Sequence, residues 1–464
     1  MKRTQSLLLV ACLTLAPFAA AAAAVELPKR PGDFWPQREE LPAHASMSVD
    51  PAASVRFDSL AALTEHGLRE RPESRAVWLS IQAEAARLDA ATADYWPTLT
   101  GSLSFTRSQA LSSSGATVPT LHRYGPSLGL AWVLYDFGAR AAGVDAQRFR
   151  LIARLLENDR TLLATVAEIE AAYYTARTAR AAVSAQVEQE AALKASFDAV
   201  EVRLRGGLAA RADLLRARAA LAEATLAREA AEREVLRADA ALKRAAGIDQ
   251  RAELLLDWDI ALPEEEASDA LLADLLGEAE RQRPDLLAVR AAAASARTDA
   301  ARARAARWPR LALSGNAGRT YFLEDERTPS STYSVGVTLS VPLFDGGRLA
   351  AEARAAERDA DRLAAEADVT RADVARDVTD AYHDLRHAQQ RRAGVTLQFD
   401  SAAESAEAAQ ARYRAGVGSL LELLTAQADL ARARLARADA DSAWLVAFSR
   451  LNHALGRLPA SPAP

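Results

Sequence analysis

Few residues in this sequence stand at spacings that could do chemistry. His383 and His387 lie four apart, which would place two imidazoles on one helical face as half of a metal site. The tract His-Asp-Leu-Arg-His lacks the glutamate that a zinc protease uses as general base, and the six histidines are otherwise scattered. The Gly-rich tracts contain no Gly-Lys-Ser or Gly-Lys-Thr with which to hold a phosphate. Cys12, the one cysteine, follows Leu9-Val10-Ala11 in a pattern close to a lipoprotein processing site. The apolar segment before it has only about six residues, against the usual ~7 to 15. Cleavage beyond Cys12 would leave no thiol at all. The expectation is therefore no catalytic set, no metal and no cofactor, and any function must come from architecture.

Composition agrees with a large folded chain: 464 residues, 50% hydrophobic and 26% charged, with a net charge of -5 and both signs interleaved. No basic stripe suits a phosphate backbone, so nucleic acid is not an expected partner. Lys2 and Arg3, the apolar run Leu7 to Phe18 and the small residues Ala19 to Ala24 have the order of a secretory signal, with cleavage expected near Ala22 to Ala24. Beyond it no apolar run is long enough for a membrane-spanning helix. Export without such an anchor leaves periplasm, secretion or a β-barrel.

Two tracts match at a spacing of a little over two hundred residues. Arg71-Pro72-Glu73 answers Arg283-Pro284-Asp285, Trp96-Pro97-Thr98-Leu99 answers Trp308-Pro309-Arg310-Leu311, and Tyr135-Asp136-Phe137-Gly138 answers Leu343-Phe344-Asp345-Gly346-Gly347. Arg205-Gly206-Gly207 with Asp213-Leu214-Leu215 answers Arg414-Ala415-Gly416 with Glu422-Leu423-Leu424, and Ala246-Gly247 answers Leu455-Gly456. The same elements in the same order mean a duplication.

In each copy a helix runs from the first proline, placed in the tolerant first turn, to the Trp-Pro pair that stops it. A tract of period two follows. Leu99, Leu103 and Phe105 fall on one face with hydroxyls on the other, and Leu128, Leu130 and Trp132 repeat the pattern after the turn-forming residues 109–120. In the second copy Val335, Val337 and Leu339 alternate cleanly, while the strand before them carries Arg319 on its apolar face near one end. Long proline-free tracts rich in helix formers come next, reversed at turns holding Gly206, Gly207, Gly416 and Gly418.

The expected organisation is thus a signal peptide over 1–24, an extended segment over 25–57, repeat 1 over 58–250, a connector over 251–280, repeat 2 over 281–458 and a tail over 459–464. Repeat 1 holds strands ~98–107 and ~124–135 and coil helices ~139–205 and ~209–246. Repeat 2 holds strands ~311–321 and ~333–343 and coil helices ~348–414 and ~419–455. The fold class is α+β, mainly α. Strands of about ten residues with one apolar face suit an outer-membrane barrel. Four strands cannot close one, and unpaired backbone in hydrocarbon costs several kcal/mol per group. Association must complete the sheet. Eight strands would leave a bore that side chains fill, whereas the Ser, Thr and Gly face suggests an open one, so three chains and twelve strands are favoured. The helical hairpins would then gather into a tube below.

These duplicated motifs, with Val341-Pro342-Leu343-Phe344-Asp345-Gly346-Gly347-Arg348 and Arg412-Tyr413-Arg414-Ala415-Gly416 leading to Leu421-Glu422-Leu423-Leu424, resemble the outer-membrane efflux proteins of TolC type over about residues 58–458. The resemblance implies a homotrimer with a twelve-stranded barrel in the Gram-negative outer membrane and a periplasmic α-helical tunnel. It also implies docking by a periplasmic adaptor to an inner-membrane pump. It places Glu422 in an acidic ring at the periplasmic aperture, where three carboxylates would attract cations and repel one another. It places Asp213 and Tyr413 at positions that link adjacent coils when the mouth is closed. Thr425 stands where a second acid is expected and Gly418 where a basic lock residue is expected. Small-molecule or drug efflux is the first functional expectation and a type I protein secretion channel the alternative. A periplasmic structural coiled coil and a surface adhesin are the remaining readings; the first dispenses with the amphipathic strands, and the second would need exposed loops longer than the tracts 106–123 and 320–332.

Overall fold

The computed structural model describes residues 54–109, 120–258, 271–323 and 328–457. The signal peptide, Cys12, the acidic cluster Glu264 to Glu266 and the tail 459–464 lie outside the described residues. In chain order the elements are β1 (Ser54–Phe57), α1 (Leu60–Glu70), α2 (Pro72–Ala93), β2 (Thr98–Ser108), β3 (Leu121–Tyr135), α3 (Ala139–Arg205), α4 (Arg211–Ala245), β4 (Glu253–Leu256), α5 (Leu272–Gln282), α6 (Pro284–Ala305), β5 (Arg310–Phe322), β6 (Ser330–Ser340), α7 (Arg348–Arg414) and α8 (Leu420–Leu455).

α3 and α7 have 67 residues each, a length on the order of 100 Å at ~1.5 Å per residue. Neither contains a proline, and exposed pairs such as Arg362 with Glu366 and Arg348 with Glu352, at i and i+4, support their solvated faces. Alanines such as Ala176, Ala353, Ala360, Ala388 and Ala433 are buried along the coils, where a methyl lets neighbouring backbones lie close. α4 and α8 return along the lower part of the long helices, while α2 and α6 pack along the part nearer the strands.

The structure departs from the sequence reading in several places. Two helices precede each hairpin rather than one, because Arg71-Pro72 and Arg283-Pro284 divide α1 from α2 and α5 from α6. The connector is not merely a linker: β4 pairs in parallel with β1, and α5 occupies residues 272–282. The final strand spans 330–340 instead of 333–343, since Pro342 has no N–H to extend the ladder beyond Ser340. β3 starts at Leu121, before the expected 124.

The core lies where the short and long helices meet, around Ile169, Tyr173, Leu242, Leu286, Val374, Trp444 and Leu455. The Tyr173 hydroxyl donates to the Asp257 carbonyl at 3.1 Å, and the Tyr173 ring stacks on Trp258, which in turn lies under the Arg180 guanidinium. The duplicated Arg-Pro motif explains itself here. Arg71 donates to Glu168 on α3 at 2.7 Å, and Arg283 donates to Asp377 on α7 at 3.0 Å, to Asp285, and to the Ala454 carbonyl at 3.1 Å. Gly456, in the left-handed region at φ 78°, ends α8 against the Arg283 backbone, where an added β-carbon would lie 3.2 Å from Arg283 Cα and 3.1 Å from the Gln282 carbonyl oxygen. Both copies therefore tie the start of one helix to the middle of a long helix through one guanidinium, and in the second copy the same group also holds the end of α8.

Replacing Arg283 with Ala should take from Asp285 and Asp377 the cation they share, leaving Asp377 only Arg376 at 3.3 Å, and cost about 2 kcal/mol, read as a lower denaturation midpoint of the purified protein. An unchanged midpoint would reject the pinning role. Nearby, burial and then the Arg283 charge push the His453 pKa below its ordinary 6.5, and its Nδ1 has no hydrogen-bond partner. A folded pKa below the unfolded one means that the unfolded chain takes the proton first. Stability present above 6.5 is therefore lost as pH falls through that value toward the folded pKa. Melting temperatures measured across this window should drop, and the His453→Gln variant should drop less.

Candidate functional site

β2, β3, β5 and β6 form one antiparallel sheet in that order, with the two copies joined through β3 and β5. Directly opposed residues share a face, so register decides what each face carries. Leu99 opposes Leu130, Gly101 opposes Leu128, Leu130 opposes Gly315, Trp132 opposes Leu313, and Leu313 opposes Val337. Leu99, Leu103, Phe105, Leu128, Leu130, Trp132, Val335, Val337 and Leu339 accordingly lie on one apolar face, and all but the half-buried Leu130 are exposed, with Leu103 at 81%. The opposite face carries Thr98, Thr100, Ser102, Ser127, Ser314, Asn316, Ser334 and Thr338. Ser102 and Ser127 share a hydrogen bond of 2.8 Å across it.

A bulge between Val133 and Tyr135 shifts the register by one, so Tyr135 opposes Leu311 and joins the apolar face instead of following Ala131 and Val133. It meets Phe137 edge-on, and Phe137 stacks on Trp308 at 5.7 Å. At the other end of the apolar face Tyr124 stacks on Tyr321 across the β3–β5 pair, near Phe105 and the 88%-exposed Tyr333. The apolar band is thus bordered by aromatics at both ends, as interfacial rings with an apolar body and a polar tip require. Arg319 lies on this face beyond Ala317, its guanidinium 5.4 Å from the Tyr321 ring centre.

Each hairpin hands over to its long helix through an aspartate and a left-handed residue. Asp345 accepts from the Gly347 and Leu349 backbone N–H groups, and those hydrogen bonds hold its carboxyl below the usual carboxylate range. Asp136 accepts from the Arg140 backbone N–H at 3.0 Å and from its guanidinium at 2.9 Å. Gly346 and Gly347 have φ of 66° and 86°; at the first of these positions the other copy has Phe137 at φ 53°, a costly conformation for a bulky residue.

At the far end of the coils, the tips of both helical hairpins pack around Val200, Ala217, Tyr413, Leu420 and Leu423. Tyr413 is buried there, its ring 4.3 Å from the Arg203 guanidinium, which also donates to the Tyr413 carbonyl at 2.9 Å. Tyr413 thus links the two coils of its own chain through Arg203, whereas Asp213 pairs with Arg216 at 3.7 Å. Glu422 lies in the first turn of α8, its backbone N–H capped by Ser419, and its carboxylate meets Arg412 at 3.2 Å in an exposed pair. Gly207 and Gly416 adopt the left-handed region at φ 75° and 78°. Gly418 does not; it is needed for closeness, since a β-carbon there would meet Tyr413 N and Arg412 Cβ at 3.0 Å. Gly206 has neither constraint.

Sequence reasoning missed Arg203 and Arg412. Their repeated place, three residues before Gly206 and Ala415, was visible in the duplication, but their partners come from the packing of separate hairpins. His383 and His387 are both exposed on α7, and no cluster that could hold a metal occurs among the described residues.

The outer membrane efflux protein family matches residues 63–248 and 275–457, one segment for each copy of the duplication. Protein CyaE of Bordetella pertussis is 32% identical over 388 residues, covering 83% of this chain and 81% of that protein. Outer membrane protein OprJ of Pseudomonas aeruginosa is 27% identical over 407 residues, covering 85% and 83%. Among solved structures, the outer membrane protein VceC from Vibrio cholerae superposes with a TM-score of 0.73 at 22% identity over 86% of this chain and 96% of that one, a likeness of fold. The duplicated fold, the apolar band and these matches together establish that the chain belongs to the outer membrane efflux protein family, as a non-enzymatic outer-membrane channel with a periplasmic helical part.

Proposed function

We propose that three copies of this chain, exported by the signal over residues 1–24, close a twelve-stranded barrel in the outer membrane. Their helical hairpins gather into a tunnel through which small molecules or drugs leave the cell. The observation that carries this reading is the four-stranded sheet itself. It has an exposed apolar face bordered by aromatics, a small polar face, and two edge strands, β2 and β6, with no partner on their outer side among the described residues. In hydrocarbon those edges demand neighbours, and β6 of one copy against β2 of the next supplies them without limit until the ring closes. A periplasmic adaptor docks the tunnel to an inner-membrane pump, which selects and energises the cargo. The duct itself is passive.

The mouth of the tunnel is the tip. Glu422 contributes a threefold carboxylate ring, and its own Arg412 masks part of that charge at 3.2 Å. Asp213 and Tyr413 contribute to the closed packing of neighbouring coils, Tyr413 through its bond with Arg203.

Electron microscopy of the detergent-extracted protein is expected to show threefold particles with a shaft on the order of 100 Å, and soluble rods or monomers would sink the proposal. Leu103→Arg, on the lipid face, should cost about 2–4 kcal/mol of barrel stability and deplete assembled trimers, while Ser102→Arg, on the bore face, should still assemble. Equal loss in both would refute the assignment of faces. In planar bilayers, Mg2+ added at the tunnel end should depress conductance less in Glu422→Gln and more in Arg412→Gln than in the wild type. Identical sensitivity in all three would remove Glu422 from the aperture.

A further inference from the structure

A cavity of about 1040 Å³ lies where the strands meet the helices, lined by Thr98, Ser314 and Ser340 of the polar face, by Trp132 and Leu313, and by residues of α2, α3 and α6. Its charge is one-sided. Six arginines line it against two aspartates, Asp94 and Asp136. Four of the six are consumed by carboxylates of the chain: Arg87 by Glu84, Arg140 by Asp136, Arg150 by Asp299 and Arg348 by Glu352. Arg302 and Arg310 have no carboxylate partner among the described residues. Arg302 extends over Gly143 of α3, its Cδ and guanidinium 3.7 Å from where a β-carbon would lie, an ordinary contact distance. Arg310 opens β5 on the same face as Ala312 and Ser314.

The duplication supplies an internal control. Arg302 and Arg310 correspond, through the Trp-Pro motif and the equal lengths of α2 and α6, to Ala90 and Thr98 of the first copy, and both of those line the same cavity. The fold is satisfied there by a methyl and a hydroxyl. Neither arginine pairs with an acid among the described residues, and neither is demanded by its place in the helix or strand. What two exposed guanidinium groups without a carboxylate partner among the described residues offer, at a concave wall of mixed apolar and polar lining, is planar, bidentate recognition of carboxylate, phosphate or sulfonate oxygens.

We propose that Arg302 and Arg310 form a cationic collar where the tunnel enters the barrel, and that the duct thereby favours cargo carrying anionic groups. This rests on the trimeric duct proposed above, in which six such guanidinium groups would face one bore. Between low-dielectric walls their field raises the local concentration of anions and lowers that of cations.

The test is the reversal potential of single channels in a KCl gradient. Relative to wild type, Arg302→Gln/Arg310→Gln should shift the permeability ratio roughly threefold toward K+. Arg302→Lys/Arg310→Lys should stay near wild type, and Arg69→Gln, on α1 outside the cavity, should not move it. In the wild-type channel, tripolyphosphate should reduce current at low ionic strength and lose that effect at 1 M salt, where screening falls to about 3 Å. This second measurement stands even if the double Gln variant does not assemble. Channels that open normally but show neither the shift nor the block would overturn the collar and leave the duct intact. Absence of any channel in the wild type would overturn both.

Discussion

An antiparallel sheet with one apolar face and two open edges is untenable alone in a bilayer, because each unpaired N–H or C=O in hydrocarbon costs several kcal/mol. The rest of this structure depends on that constraint. It leaves β2 and β6 in need of partners beyond this sheet. It allows the apolar side to be Leu, Val, Phe and Tyr, exposed in the single chain because lipid is their solvent. It also frees the polar side to be Ser, Thr and Gly, residues too small to fill a bore. A large exposed apolar surface that would be a liability in a water-soluble fold is here a condition of function.

The helices have a different problem. Each is far longer than its return partner, so α4 and α8 cannot cover the whole of α3 and α7, and α2 and α6 take over nearer the membrane. The changeover leaves helix ends abutting in the middle of the shaft, where unsatisfied carbonyls and N–H groups must be met. Arg283 meets the Ala454 carbonyl, Gly247 and Gly456 end the return helices against Arg71 and Arg283, and the aromatic stack of Tyr173, Trp258 and Arg180 closes the same girdle against β1 and β4. At the membrane end, tight connections turn each strand into a helix within a few residues. Those connections cost backbone strain at Phe137, offset by its stacking on Trp308.

By contrast the tip is held lightly. Its small apolar cluster is separate from the main core, and the Arg412–Glu422 pair is exposed and therefore weak. Stability is thus concentrated in the pinned middle, and the tip is the part of the coils that local opening would reach at least cost.

Much of this was determined by the sequence alone. The duplication, the long helices from Ala139 to Arg205 and from Arg348 to Arg414, and the apolar face of Leu99, Leu103, Phe105, Val335, Val337 and Leu339 follow from proline placement, helix-forming composition and period-two alternation, all local properties. Tertiary structure decided what depends on elements distant in the chain. Tyr135 joins the apolar face only because a bulge against β5 shifts its register, and β4 becomes a strand only beside β1. Tyr413 meets Arg203 rather than Asp213, and Glu422 meets Arg412, because the packing of helices across the tip turns sets those distances. Arg302 and Arg310 look like ordinary surface charges in sequence; only the fold sets them in one cavity with no carboxylate partner among the described residues, since a local pattern carries no information about which carboxylates lie within reach.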